Sequence, residues 1–117
     1  MIKKSAIAEL SDDSNSPTTI YTVPDGKQSE IVMVWVTNPD SSNKQFHLEF
    51  YNASADTTTV LFDGYTINQK DFLQIGGQAQ TFVMMQEGDK LKGYGNSNSN
   101  FKVIVSCLEH NVIIQGG

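Results

Sequence analysis

Along most of this chain apolar and polar side chains alternate with a period of two, and nowhere do apolar residues recur at helical spacing over three turns. Residues 44–52 show it most cleanly. Phe46, Leu48 and Phe50 point one way, and Gln45, His47, Glu49 and Tyr51 the other. That pattern predicts a half-buried strand of an antiparallel sheet. In the last long stretch Phe101, Val103, Val105 and Cys107 alternate with Lys102, Ile104, Ser106 and Leu108. Residues 29–40 depart from the rule, because Ile31, Val32, Met33, Val34, Trp35 and Val36 are apolar without a break. Their β-branched and aromatic content still predicts a strand. Plain alternation would set Val32, Val34 and Val36 on one face and Ile31, Met33 and Trp35 on the other. Both faces of such a strand need cover, one from the core and one from a second layer or another molecule.

Turn chemistry divides the remaining strands. Residues 2–9 form a weakly signalled first strand, and residues 11–17 read as a loop. The β-prone residues 18–23 end at Pro24-Asp25-Gly26-Lys27, in which Pro presets φ and Gly accepts a positive one. Asn38-Pro39-Asp40-Ser41-Ser42-Asn43 closes the apolar strand. Asp63-Gly64 reads as a hairpin turn between residues 57–62 and a return strand at Tyr65 and Ile67. Phe72, Leu73 and Ile75 make a short apolar segment before Gly76-Gly77. Residues 81–85 follow, then a turn at Gln86-Glu87-Gly88-Asp89, with residues 90–94 expected to pair back. The expected fold is all-β, a single-domain antiparallel sandwich over residues 1–117, jelly-roll-like, with about eight strands. A short apolar tail at residues 110–117 would close a sheet edge or add a strand to a neighbour.

Composition narrows the function. The chain has 117 residues, 38% of them hydrophobic and only 18% charged, so Ser, Thr, Asn and Gln supply most of the polarity. Its net charge is −5, and all eight basic residues are lysine. Without arginine, the group best suited to gripping phosphate and guanine edges, a nucleic-acid partner is not expected. A single cysteine, Cys107, excludes an internal disulfide and reads as a buried thiol. Glu9, Asp12 and Asp13 interrupt the apolar start before it reaches signal-peptide length, and no stretch is long enough for a membrane span. Synthesis in a cytoplasm, with no membrane partner, is the expectation. Catalytic chemistry is sparse. His47 and His110 sit among polar residues without a neighbouring cluster of ligands, so neither metal nor cofactor is expected, and Cys107 lacks a partner pattern for nucleophilic catalysis.

Two stretches carry a resemblance. Tyr21-Thr22-Val23-Pro24-Asp25-Gly26-Lys27 leads into the strand ending at Thr37-Asn38, and Met85-Gln86-Glu87-Gly88-Asp89-Lys90-Leu91 precedes the terminal strand. Together, across about residues 18–109, they resemble small β-sandwich structural proteins of tailed bacteriophages. The resemblance implies a non-enzymatic virion component, with capsid decoration (cement) ahead of a neck, tail or fibre role. Its implied partners are the major capsid protein or neck and tail proteins. Homo-oligomers, a trimer by analogy, also follow from it.

The candidate interface residues are Ile31, Met33, Trp35, His47, Tyr51, Ile104, Leu108, Val112, Ile113 and Ile114. Trp35 is either covered within its own subunit or held for another molecule. From a different class, a carbohydrate-binding module would use Trp35, Tyr51 and Tyr94 as an aromatic platform.

Overall fold

The structure, a computed structural model, describes residues 1–78 and 80–112. Nine strand segments fill it: β1 (Ile2–Glu9), β2 (Thr18–Thr22), β3 (Lys27–Thr37), β4 (Lys44–Asn52), β5 (Thr57–Ile67), β6 (Phe72–Gly76), β7 (Val83–Met85), β8 (Lys90–Gly95) and β9 (Lys102–Asn111). One sheet runs β1-β9-β3-β6, with β7 also on β3, and the other runs β2-β8-β4-β5. All the strand pairs are antiparallel. The pairing is nested: β1 lies with β9, β2 with β8, β3 with β6 and β7, and β4 with β5. This is the winding of a jelly roll, with one of its eight strands broken into β6 and β7.

The break has a cause in β3. Its register against β9 shifts between Ile31 and Met33, which marks a β-bulge at Val32. The bulge turns two backbone carbonyls toward the sheet edge. Val32 O accepts from the amide of Gly77 at 2.7 Å, and Ile31 O accepts from that of Phe82 at 2.6 Å. The edge strand stops to make these contacts and resumes afterwards. Gly76 has φ +76°, and a Cβ there would stand 2.4 Å from Val32 O, so only glycine fits at this crossing.

The bulge also reverses the face expected for Ile31. Plain alternation places Ile31 outward with Met33 and Trp35. Instead Ile31 is fully buried alongside Val34 and Val36, while Val32 is only half-buried. One extra residue shifts the phase of everything before it. Two further expectations change for related reasons. Asp63-Gly64 is not a hairpin turn: β5 runs continuously through it, and Gly64, at φ +79°, is the unpaired residue between the His47–Asp63 and Phe46–Tyr65 pairs. Nor does β8 pair back onto β7, since the two belong to different sheets.

The core lies between the sheets. Val34, Val36, Val103, Val105 and Ile31 face Phe46, Leu48, Leu91 and Ile20, with Phe101 packed edge-on against Phe46 at 5.9 Å between ring centroids. Cys107 is buried among them. At one end, buried Asn38 closes the β3–β4 loop: its side-chain amide donates to the carbonyls of Ile67 (2.9 Å) and Ser42 (3.0 Å).

The two motif turns meet at one corner. The amide of Val23 donates to Asp89 O (3.0 Å), that of Gly88 to Val23 O (3.1 Å), and that of Gly26 to the Glu87 carboxylate (2.6 Å). Buried Asp89 also accepts from the amides of Gln86 and Ala53, which ties in the β4–β5 turn. Pro24–Lys27 and Gln86–Asp89 are therefore paired crossings from one sheet to the other.

Candidate assembly surface

Antiparallel partners share a face, so the register determines which side chains meet on the outer side of the β1-β9-β3-β6 sheet. One row reads Ile7, Ile104, Trp35 and Gln74. Phe72, two residues from Gln74 on the same face, stacks on Trp35 with centroids 4.3 Å apart and rings 5° from parallel. The Trp35 indole NH donates to the Thr37 hydroxyl at 3.0 Å. Trp35 is thus covered on one ring face within its own subunit and left half-buried. Around it apolar surface stays open: Ile7 is 75% exposed, Phe72 51% and Ile104 38%.

The next row reads Ser5, Ser106 and Met33, and beyond the bulge comes Lys3, Leu108, Glu30 and Met84. Small Ser5 and Ser106 leave a trough between the two rows, of about 570 Å³, walled by Val32, Met33 and Leu108 and reaching Lys3 and Glu30. Glu30 is held in place at its end. One carboxylate oxygen accepts from Thr81 and the other lies 2.5 Å from His110 Nε2. Those two contacts, the Thr81 hydrogen bond first, hold its carboxyl below the usual carboxylate range.

Behind this face a carboxylate is buried. Glu109 accepts from the Tyr21 hydroxyl at 2.6 Å and lies 3.4 Å from the Lys4 ammonium. Burial, and then the Glu109 contact, push the Tyr21 phenol well above its ordinary value.

The opposite face, on β2-β8-β4-β5, has a different character. Its rows include Thr19, Lys92, Glu49 and Val60, then Thr22, Lys90, Tyr51 and Thr58. His47 stacks on Tyr94 at 4.3 Å, is 15% exposed, and has Nδ1 3.3 Å from the Asp63 carboxylate. Burial, and then the charges of Glu49 and Asp63, raise the Tyr94 phenol. The Tyr51 hydroxyl donates to Asp56 at 2.7 Å, and the Lys90 and Lys92 ammonium groups sit 5.9 and 5.3 Å from its ring centroid.

Of the ten residues singled out from sequence, Met33, Trp35, Ile104 and Leu108 come together on one outer face. Ile31 is in the core. His47 and Tyr51 lie on the other sheet, engaged with their own neighbours. Val112 is 40% exposed at the corner, where its amide donates to Gly26 O. Ile113 and Ile114 lie outside the described residues. Ile7 and Phe72, which complete the apolar row, were not among the ten, because only the strand pairing brings them beside Ile104 and Trp35. The aromatic platform is not assembled, since Trp35 lies on the sheet opposite Tyr51 and Tyr94. Among the described residues no three His, Cys, Asp or Glu side chains converge as metal ligands.

No known protein family matches this chain, and no curated protein does. Among solved structures it is similar to a protein of the Bacillus endospore appendages, a family of disulfide-linked pili, with a TM-score of 0.54 at 8% identity over 96% of this chain and 87% of that one. PirA gives 0.48 at 9% identity, over 87% of this chain and 92% of that one. The Eiger TNF of S. frugiperda gives 0.46 at 10% identity, over 99% and 96%. The first likeness bears out the all-β sandwich and speaks only to fold; the other two carry no argument.

Proposed function

We propose that this chain is a non-enzymatic structural subunit of a tailed-phage virion, with decoration of the capsid ahead of a neck or tail position. The observation that carries the reading is the open apolar row of Ile7, Ile104 and Trp35, with Phe72 beside it, on one outer sheet face. A contiguous apolar patch rimmed by Lys3, Glu30, Glu9 and Lys102 has the make-up of a contact surface. The phage-like corner motifs support the same reading, as does the lack of fibre repeats in the sequence.

Magnitudes favour a many-copy particle over a tight one-to-one complex. Fully burying a large aliphatic or aromatic side chain contributes about 1.5–3 kcal/mol, and these side chains are already partly covered. Such a patch supplies a few kcal/mol per copy, which becomes firm attachment when copies joined to one another engage together. The contacts would be non-covalent, because the one cysteine, Cys107, is buried in the core and out of reach of a neighbour's thiol. The carbohydrate reading loses its motive, because its three rings do not share a face.

Immunogold labelling and quantitative mass spectrometry of purified tailed particles from the natural host test the proposal. The chain is expected in the particles at many copies, with label on the capsid. Its absence from purified particles would contradict the reading.

A further inference from the structure

Strand β1 is an edge. Among the described residues it pairs with β9 on one side only, and most of its side chains are exposed. Its charges are segregated along its length, with Lys3 and Lys4 at the start and Glu9 at the end. Lys4 faces the core side and approaches Glu109. Lys3 faces outward and makes no ion pair among the described residues, while Glu9 is 81% exposed and only 3.9 Å from Lys102. Lysine on an edge strand commonly keeps copies apart. That holds when the edge carries one sign of charge, whereas a strand positive at one end and negative at the other complements itself when antiparallel.

We propose that β1 pairs with β1 of a second copy across a two-fold axis through Ala6, extending the β1-β9-β3-β6 sheet continuously through both subunits. This deepens the assembly reading and rests on it. With Ala6 opposite Ala6 of the partner subunit, Lys3 lies opposite Glu9 of the partner subunit, twice over by symmetry. The same register sets Ser5 opposite Ile7 of the partner subunit, on the outer face. The most exposed isoleucine among the described residues then falls beside its small serine, at the mouth of the apolar trough walled by Met33 and Leu108. Charge and shape select one register independently. Moving the axis to Ser5 would face Lys3 with an isoleucine and lose both ion pairs.

Sedimentation of the whole chain from micromolar concentration upward, with melting curves to monitor folding, tests the pairing. The natural chain is expected to dimerise. Lys3→Glu and Glu9→Lys should each weaken the dimer about tenfold, because two exposed pairs turn repulsive together. The double exchange Lys3→Glu with Glu9→Lys should restore it. Mixed Ser5→Cys and Ile7→Cys chains should cross-link under oxidation, with Ser5→Cys alone staying uncross-linked. A natural chain that stays monomeric, or a double exchange no better than the single ones, overturns the proposal. Cross-linking of Ser5→Cys with itself overturns the register. The virion reading fails separately: a dimer that is absent from purified particles refutes that reading and leaves the pairing standing.

Discussion

The two outer faces of this jelly roll are built from the same number of principal strands and differ in what they leave unfinished. On β2-β8-β4-β5 the aromatic side chains of the outer face are occupied: His47 lies on Tyr94, two lysines flank Tyr51, and the Tyr51 hydroxyl is held by Asp56. Among the described residues the one bare aliphatic there, Val60, stands alone beside Glu49. On β1-β9-β3-β6 one stack, Trp35 on Phe72, sits in a row whose aliphatic members, Ile7 and Ile104, are bare. Polar cross-strand partners finish a surface at home, because water solvates what remains. An apolar row has no such end point and gains further by meeting another apolar surface.

The sharpest way to break this contrast is to ask which side of β3 each residue serves. Ile31→Ala should cost about 2–5 kcal/mol of unfolding free energy, as expected for a buried aliphatic side chain. Met33→Ala, on the outer side of the bulge, should cost far less. Denaturant unfolding of the pair measures both, and the reverse order would mean that β3 alternates without a bulge. A smaller effect is expected from the stack. A double-mutant cycle between Trp35→Ala and Phe72→Ala should return a coupling of about 0.5–1.5 kcal/mol. Zero coupling would mean that Phe72 does not cover Trp35. Smallest is the pH effect at the trough. Because the Glu30 carboxyl is held below its ordinary range, the folded state binds fewer protons there than the unfolded state. Its contribution is present above the ordinary carboxylate range and is lost as pH falls through the lowered value. Glu30→Gln should therefore flatten the acid limb of a melting-temperature profile.

Much of the fold was legible because strand alternation is a local signal. The faces of residues 44–52 and 101–108 were correct, and so were the corner turns, whose Pro, Asp and Gly act within a few residues of one another. What failed was non-local. The phase of Ile31 depends on a bulge visible only against β9, and the meaning of Asp63-Gly64 depends on β4 passing beside it. The assembly face was half legible. Met33, Trp35, Ile104 and Leu108 could be assigned outward from alternation within β3 and β9. Ile7 and Phe72 sit on strands whose positions beside them follow from the jelly-roll winding, which no short window of sequence contains.

The difference between the two faces is tested most directly by placing one charge on each. Ile104→Lys alters the apolar row, while Val60→Lys alters an apolar residue on the opposite sheet that is more open still, 53% exposed against 38%. Both chains should fold with nearly unchanged melting temperatures. Binding of each to purified particles depleted of the natural chain, read by co-sedimentation, should be lost for Ile104→Lys and retained for Val60→Lys. Retention by Ile104→Lys with loss by Val60→Lys would contradict the assignment of the β1-β9-β3-β6 face as the contact surface.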